Sequence, residues 1–125
     1  MMSDTIKQVL MFAGAKSAIE RFVPAAEKVL AGTPAQTVAN HYSDTSNQFH
    51  SGEWTGEPGT WKVSYSEHEF CYVTRGRIRI VDAAGTVTEV KAGDAFIIPA
   101  GFKGTWQVLE SAHKYYVIFE PKSAV

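Results

Sequence analysis

From Gly52 onward the chain is a succession of short runs rich in Val, Ile, Phe, Tyr, Trp and Thr. The runs are TWKVSY, FCYVT, RIRIV, TVTEV, AFIIP, TWQVL and KYYVIFE, and turn signals fall between them. Those signals are TGEPG (55–59), RG (75–76), DAAG (82–85), KAGD (91–94), PAG (99–101) and ESAH (110–113). Strand and turn alternating about every ten residues specify an all-β sandwich or barrel. No helical pattern of the length a parallel crossover needs lies between the runs, which argues against a βαβ fold. FCYVT and YYVIFE are apolar on both parities, so a second layer must cover their outer side. N-terminal helices, another sheet or a second subunit could supply it, and a homodimer is expected.

The first third has a different texture. Ser17 and Glu20 fit a capping box, Pro24 suits a first helical turn, Gly32 a C-terminal cap, and Pro34 follows. One broken or two short helices are expected between residues 17 and 31. The chain therefore divides into an N-terminal arm with short helices, 1–36, and a β-barrel, 37–125, within a single domain of 125 residues. A net charge of −1 with no basic stripe argues against nucleic acid and against an electrostatic membrane anchor. No apolar run reaches membrane-span length. The apolar stretch 9–15 is short, broken by Gly14 and lacks a positive flank, so no signal peptide is expected. A single cysteine cannot form an internal disulfide and fits a reducing compartment, so a cytoplasmic location is expected.

Two stretches carry a family pattern. In EFCYVTRG, Glu69 stands seven residues before Gly76, and GDAFIIPAGFKG spaces Gly93, Pro99 and Gly101. These resemble the two motifs of the cupin superfamily, across about residues 50 to 120. GEWTGEPGTWKVSY, GFKGTW, HKYYVIFE and NHYSD (40–44) look closer to small single-domain cupins of the ureidoglycine aminohydrolase-like branch, of Cupin_3 type. The resemblance implies a double-stranded β-helix, or jelly-roll barrel. The glycines also have a plain physical reading as turn formers.

In metal-binding cupins the first motif supplies His, His and Glu, and the second another His. Here the paired His positions fall on Lys62 and Ser64, or on Val63 and Tyr65, and the second-motif position falls on Gly104. Only Glu69 remains, and a lone carboxylate does not hold a transition metal. No metal and no cofactor is expected, and the resemblance implies the barrel rather than the chemistry.

With Glu69 inward, as the resemblance implies, strand alternation turns Cys71 and Val73 inward and sends Phe70 and Tyr72 outward against another layer. Tyr65 and Glu67 then approach the barrel mouth, Trp106 shares the side of Gly104, and Lys103 sits at the rim. Glu69 is the candidate catalytic residue, a buried carboxylate with a raised pKa acting as acid or base, or gripping an amine-bearing ligand. Tyr65, Glu67, Cys71, Trp106 and Lys103 are the expected ligand-binding set. His41 joins them if the N-terminal arm folds across the mouth. A Glu67–Glu69 pair close enough to interact would split its pKa values. The bland alternative is a barrel plugged by its own side chains, with Glu69 satisfied by Tyr65 or by backbone donors and Cys71 a small buried hydrophobe. Lys114, Tyr115 and Tyr116 read as strand and interface, with one tyrosine reaching inward. Four functions fit: a metal-independent acid/base enzyme on a small polar metabolite, a non-catalytic binding or sensing protein, an atypical metalloenzyme using Glu69 with His41, or a filled scaffold. The residues favour the first two jointly and do not separate them.

Overall fold

A computed structural model describes residues 7–122. Nine strands carry the fold: β1 (Glu20–Phe22), β2 (Val29–Gly32), β3 (Gln36–Ser43), β4 (Phe49–Gly56), β5 (Gly59–Ser64), β6 (His68–Asp82), β7 (Val87–Lys91), β8 (Ala95–Ile98) and β9 (Lys103–Phe119). Every pairing between them is antiparallel.

The long strands β6 and β9 run side by side from His68↔Phe119 to Asp82↔Gly104 and belong to two sheets at once. Their outer halves, toward His68 and Phe119, join β8 on one side and β4, β3 and β1 on the other. Their inner halves join β7 on one side and β5 and β2 on the other. The shared ribbon bends where its register slips, between Val73 and Ile78. Gly76 sits at that bend with φ 87°, and a Cβ there would lie 2.3 Å from the Ser111 carbonyl oxygen. Only glycine fits so close an approach. The result is a jelly-roll barrel whose interior is closed by Trp54, Trp61, Trp106, Ile78, Ile80 and Val108.

RG and ESAH, read as turns from the sequence, are thus the bend within β6 and β9. Two pairs of expected strands fuse into two long ones. The expected N-terminal helices are absent. Residues 20–22 and 29–32 are edge strands, joined through a single 3₁₀ turn at Ala26–Lys28. Segments this short do not sustain a helix alone, whereas each gains a strand partner: β1 pairs β3 and β2 pairs β5. Ser17 caps nothing, because its hydroxyl bonds His41 Nδ1 at 2.7 Å. The outward faces of β6 and β8 leave Phe70, Tyr72 and Ile97 exposed, with no second layer from this chain among the described residues.

Candidate functional site

Alternation along β6 turns Glu69, Cys71 and Val73 into the barrel, and along β9 it does the same for Ala112, Lys114 and Tyr116. Register sets Glu69 opposite Ile118 and Val73 opposite Lys114. The lysine stem therefore runs along the inner wall toward the carboxylate. Lys114 Nζ donates to Glu69 Oε2 at 2.9 Å and lies 3.4 Å from Cys71 Sγ. Its head lies over the indole rings of both Trp54 and Trp106, at 5.0 and 4.6 Å from their centroids. Both ends of the pair are buried, with Glu69 6% and Lys114 3% exposed.

Burial by itself would lower the Lys114 pKa; the charge of Glu69, then Cys71 and the two hydrogen bonds, outweigh it and hold the ammonium above the ordinary lysine value. Two aromatic faces add cation–π attraction to the same charge. Burial pushes the Cys71 thiol up to about 12, against the pull of Lys114. That thiol is protonated and inert at neutral pH. Burial and the nearby Glu69 charge raise Tyr65 well above the ordinary tyrosine value, and they push Tyr116 up to about 12.

Above this floor the barrel opens into a cavity of about 390 Å³, within the range of small-ligand sites. Trp54, Trp61, Val38 and Ile118 supply apolar wall; Gln36, Tyr65, Glu67 and Tyr116 supply polar groups beside the ion pair. The Trp54 indole N–H donates to Gln36 Oε1 at 2.8 Å. That bond fixes the amide orientation, since an indole only donates, and leaves the Gln36 NH₂ free to donate. Tyr116 donates to Asn40 Oδ1 at 2.7 Å, so its oxygen keeps acceptor capacity. A ligand in this space meets an amide donor, phenol oxygens, a carboxylate oxygen and aromatic faces around an internally neutralised charge.

The structure brings Glu69, Glu67 and Tyr65 to the cavity. Cys71 is fully buried behind it, touching Lys114. Trp106 is likewise behind the wall, edge-on to Trp54, and its indole N–H is buried without a partner. Lys103 lines a neighbouring groove at the mouth rather than the cavity itself.

His41 is elsewhere. β3 presents it on the outer face of its sheet, where Nε2 donates to Glu53 Oε2 at 2.7 Å. His113 donates to the other oxygen of Glu53, also at 2.7 Å, and its Nδ1 meets the Thr74 hydroxyl. Burial raises the Glu53 pKa, but the two histidines more than offset it and hold the carboxylate below its ordinary value. With both ring nitrogens engaged, His41 fastens the N-terminal arm through Ser17 instead of closing the barrel mouth. The expectation that it could stand beside Glu69 fails because the sheet lies between them.

Lys114 is the residue that sequence reasoning missed. In the sequence it reads only as the opening of a final strand, and its two-residue alternation with Tyr116 and Ala112 is the available signal. Gln36, outside every quoted motif, and Trp54, inside GEWTGEPGTWKVSY but given no role there, go unassigned as well.

The metal set that the barrel implies does not fit here. Along β5 and just beyond it Trp61, Val63 and Tyr65 are buried or half-buried while Lys62 and Ser64 are exposed, so the inward positions that the first-motif histidines would take hold a valine and a tyrosine. At Gly104 a Cβ would lie 2.0 Å from the Val81 carbonyl oxygen, so a histidine has no room there. Glu69 already faces an ammonium, which repels a cation. Among the described residues no three of His, Cys, Asp and Glu converge in a way that could hold a metal ion.

A two-sheet jelly roll with this ribbon, and with a cavity floored by the inward residues of β6 and β9, defines a cupin. More narrowly, the model of the EutQ-like cupin domain matches residues 44–116, and the chain belongs to that family. Solved structures agree on the fold. The EutQ protein of Clostridium difficile aligns at 20% identity over 71% of this chain and 65% of its own, with a TM-score of 0.63. A Pseudomonas syringae protein of the DUF861 family gives 19% identity over 83% of this chain and 45% of its own, with a TM-score of 0.74. A Thermotoga maritima protein described as a predicted oxalate decarboxylase gives 16%, covering 91% of this chain and 100% of its own, with a TM-score of 0.69. This chain thus spans less than two thirds of the first two. No curated protein matches it significantly. Among the described residues no helix is long and apolar enough to cross a membrane.

Proposed function

We propose that this cupin takes a small polar metabolite into the barrel without a metal, and that Glu69 and Lys114 together anchor it. One observation carries the reading: a buried carboxylate–ammonium pair, 2.9 Å apart, that lines an open cavity. The pair revises the expected ligand class. Lys114 occupies the cation position that an amine-bearing ligand would have taken, so the body of the ligand is polar and uncharged. Its hydroxyl or amide groups exchange hydrogen bonds with Glu69, Gln36 and the tyrosines.

The same pair is the acid/base machinery if the protein is an enzyme. Glu69 accepts a proton from a bound hydroxyl or water, and the Lys114 ammonium stabilises the charge left on the oxygen. A sensing or carrier role uses the same contacts with no reaction. The kinship to the ureidoglycine aminohydrolase-like branch is a kinship of scaffold in this reading, because that enzyme's metal ligands are not reproduced. The free, buried Cys71 supports a reducing, cytoplasmic setting.

The test is thermal-shift screening of neutral polyols and amides, hydroxy acids and amines against the wild type and a Glu69→Gln/Lys114→Met double variant. Neutral polar compounds should raise the melting temperature of the wild type alone. NMR of each stabilising compound during incubation separates turnover from binding. Stabilisation by amines only, or equal stabilisation of the double variant, defeats the proposal.

A further inference from the structure

β2 covers the edge of β5 only from Gly59 to Trp61, so among the described residues Lys62 to Ser64 form an edge with no strand beside it on that side. The 3₁₀ turn carrying Lys28 packs against β5. On the other side of β5, Ser64 is opposite Lys103. Lys28, Lys62 and Lys103 thereby line one groove, with Val63, Ser64 and Gly104 as its floor. The cavity and the groove share Lys28, Lys62, Val63 and Ser64, so the two spaces adjoin at this edge of β5.

The charge of this mouth is one-sided. Among the described residues no aspartate or glutamate lines the groove. Among the described residues none of the three lysines makes an ion pair. Of the two acids lining the cavity, Lys114 neutralises Glu69, which leaves Glu67 beside Lys28 and Lys62. Like charges gathered at a cleft raise the local potential and draw anions. Lysine ammonium groups bind phosphate and carboxylate as point charges.

We infer that the groove is an anion subsite and that the ligand has two parts: an uncharged polar body in the barrel and a phosphate or carboxylate group held by Lys28, Lys62 and Lys103. This rests on the reading of the barrel as a small-molecule site and adds the charge class of the ligand to it. The arrangement also orients the ligand, since only the mouth is basic.

The test is a ¹H–¹⁵N NMR titration of the intact protein at low ionic strength with inorganic pyrophosphate and, separately, with propane-1,2,3-tricarboxylate. Saturable shifts are expected at residues 62–64, 103 and 104. Replacing Lys28, Lys62 and Lys103 together by Gln should weaken binding by about tenfold or more, whereas replacing Lys16, Lys91 and Lys122 changes it by less than about twofold. The tighter probe tells phosphate from carboxylate. Equal weakening in both triple variants means net charge alone and overturns the subsite. So does the absence of saturable shifts. If the groove is silent while neutral compounds from the thermal-shift screen still move the Trp54 and Trp61 indole signals, the subsite falls and the barrel reading stands. If both are silent, both fall.

Discussion

Removing Glu69 alone should damage this protein more than removing Glu69 and Lys114 together. In Glu69→Gln the ammonium of Lys114 stays 3% exposed over two indoles and loses the carboxylate 2.9 Å away. Stripping one partner from a buried pair costs about 3–5 kcal/mol, whereas an apolar replacement of both is often neutral or stabilising. Glutamine keeps the shape of Glu69, so the loss is one of charge rather than volume. Methionine fills the stem of Lys114 and sits well against aromatic rings. Glu69→Gln should therefore unfold at about 10–25 °C below wild type, at roughly 3–5 °C per kcal/mol for a domain of this size. Glu69→Gln/Lys114→Met should regain most of that, with a coupling energy of about 3 kcal/mol in the double-mutant cycle. Urea unfolding followed by tryptophan fluorescence, with far-UV circular dichroism to check for coincident transitions, supplies the four stabilities. A Glu69→Gln protein within about 1 kcal/mol of wild type refutes the reasoning. A double variant no more stable than the weaker single does so too, because the pair would then not be what the interior is built around.

The raised pKa values of Cys71, Tyr65, Tyr116 and Lys114 all act in one direction. A raised folded value gives stability that is complete below the unfolded value and lost as pH rises. With Cys71 moving from 9.0 to about 12, stability should hold to about pH 9 and fall from there toward pH 12; a level profile of unfolding free energy across that window contradicts the assignment. Trp54→Phe should cost about 1–2 kcal/mol more than Trp106→Phe, since the first strands the Gln36 carbonyl and the second removes an N–H that has no partner; equal losses in chemical denaturation count against the hydrogen-bond argument. Elemental analysis of protein purified without chelators should find no near-stoichiometric transition metal, and a metal that disappears with Glu69→Gln would overturn the metal-free proposal. Light scattering should report a homodimer built on the outer face of β6 and β8, where Phe70, Tyr72 and Ile97 are exposed, with Phe70→Glu/Tyr72→Glu converting it to monomer; a monomeric wild type sinks that expectation.

The sequence carried the barrel because barrel strands are local: alternation, turn residues and the spacing of Gly76, Gly93, Pro99 and Gly101 lie within short windows. It misplaced the bends because a residue such as Gly76 looks the same at a hairpin as at a bulge, and only the partner strand at Ser111 and Ala112 distinguishes them. It placed helices in the N-terminal arm because capping signals are local too, while the competing bonds, β1 to β3 and Ser17 to His41, come from more than a dozen residues away. The inward direction of Glu69 was legible from parity. Its partner was not, because 45 residues separate Glu69 from Lys114 and the register of β6 against β9 alone brings them together. The same blindness to register put His41 beside the wrong carboxylate: it reaches Glu53, on the other side of the sheet.

In the proposed metal-free reading, Lys114 takes the part of the ion that the cupin pattern implies. A metal site needs several converging ligands, and here valine, tyrosine and a glycine with no room for a side chain stand at three of the four positions. Glu69 alone would be a buried, uncompensated charge, which burial strongly disfavours. The chain answers with a cation of its own, tethered on β9 and set over the rings of Trp54 and Trp106. An ammonium is not a Lewis acid with open coordination positions. It has three N–H directions, and Glu69 and Cys71 already take two of them. What remains available at the floor is hydrogen bonding and proton transfer at the carboxylate. The chemistry that this site supports therefore follows from which residue supplies the positive charge, and it belongs to the pair rather than to Glu69 alone.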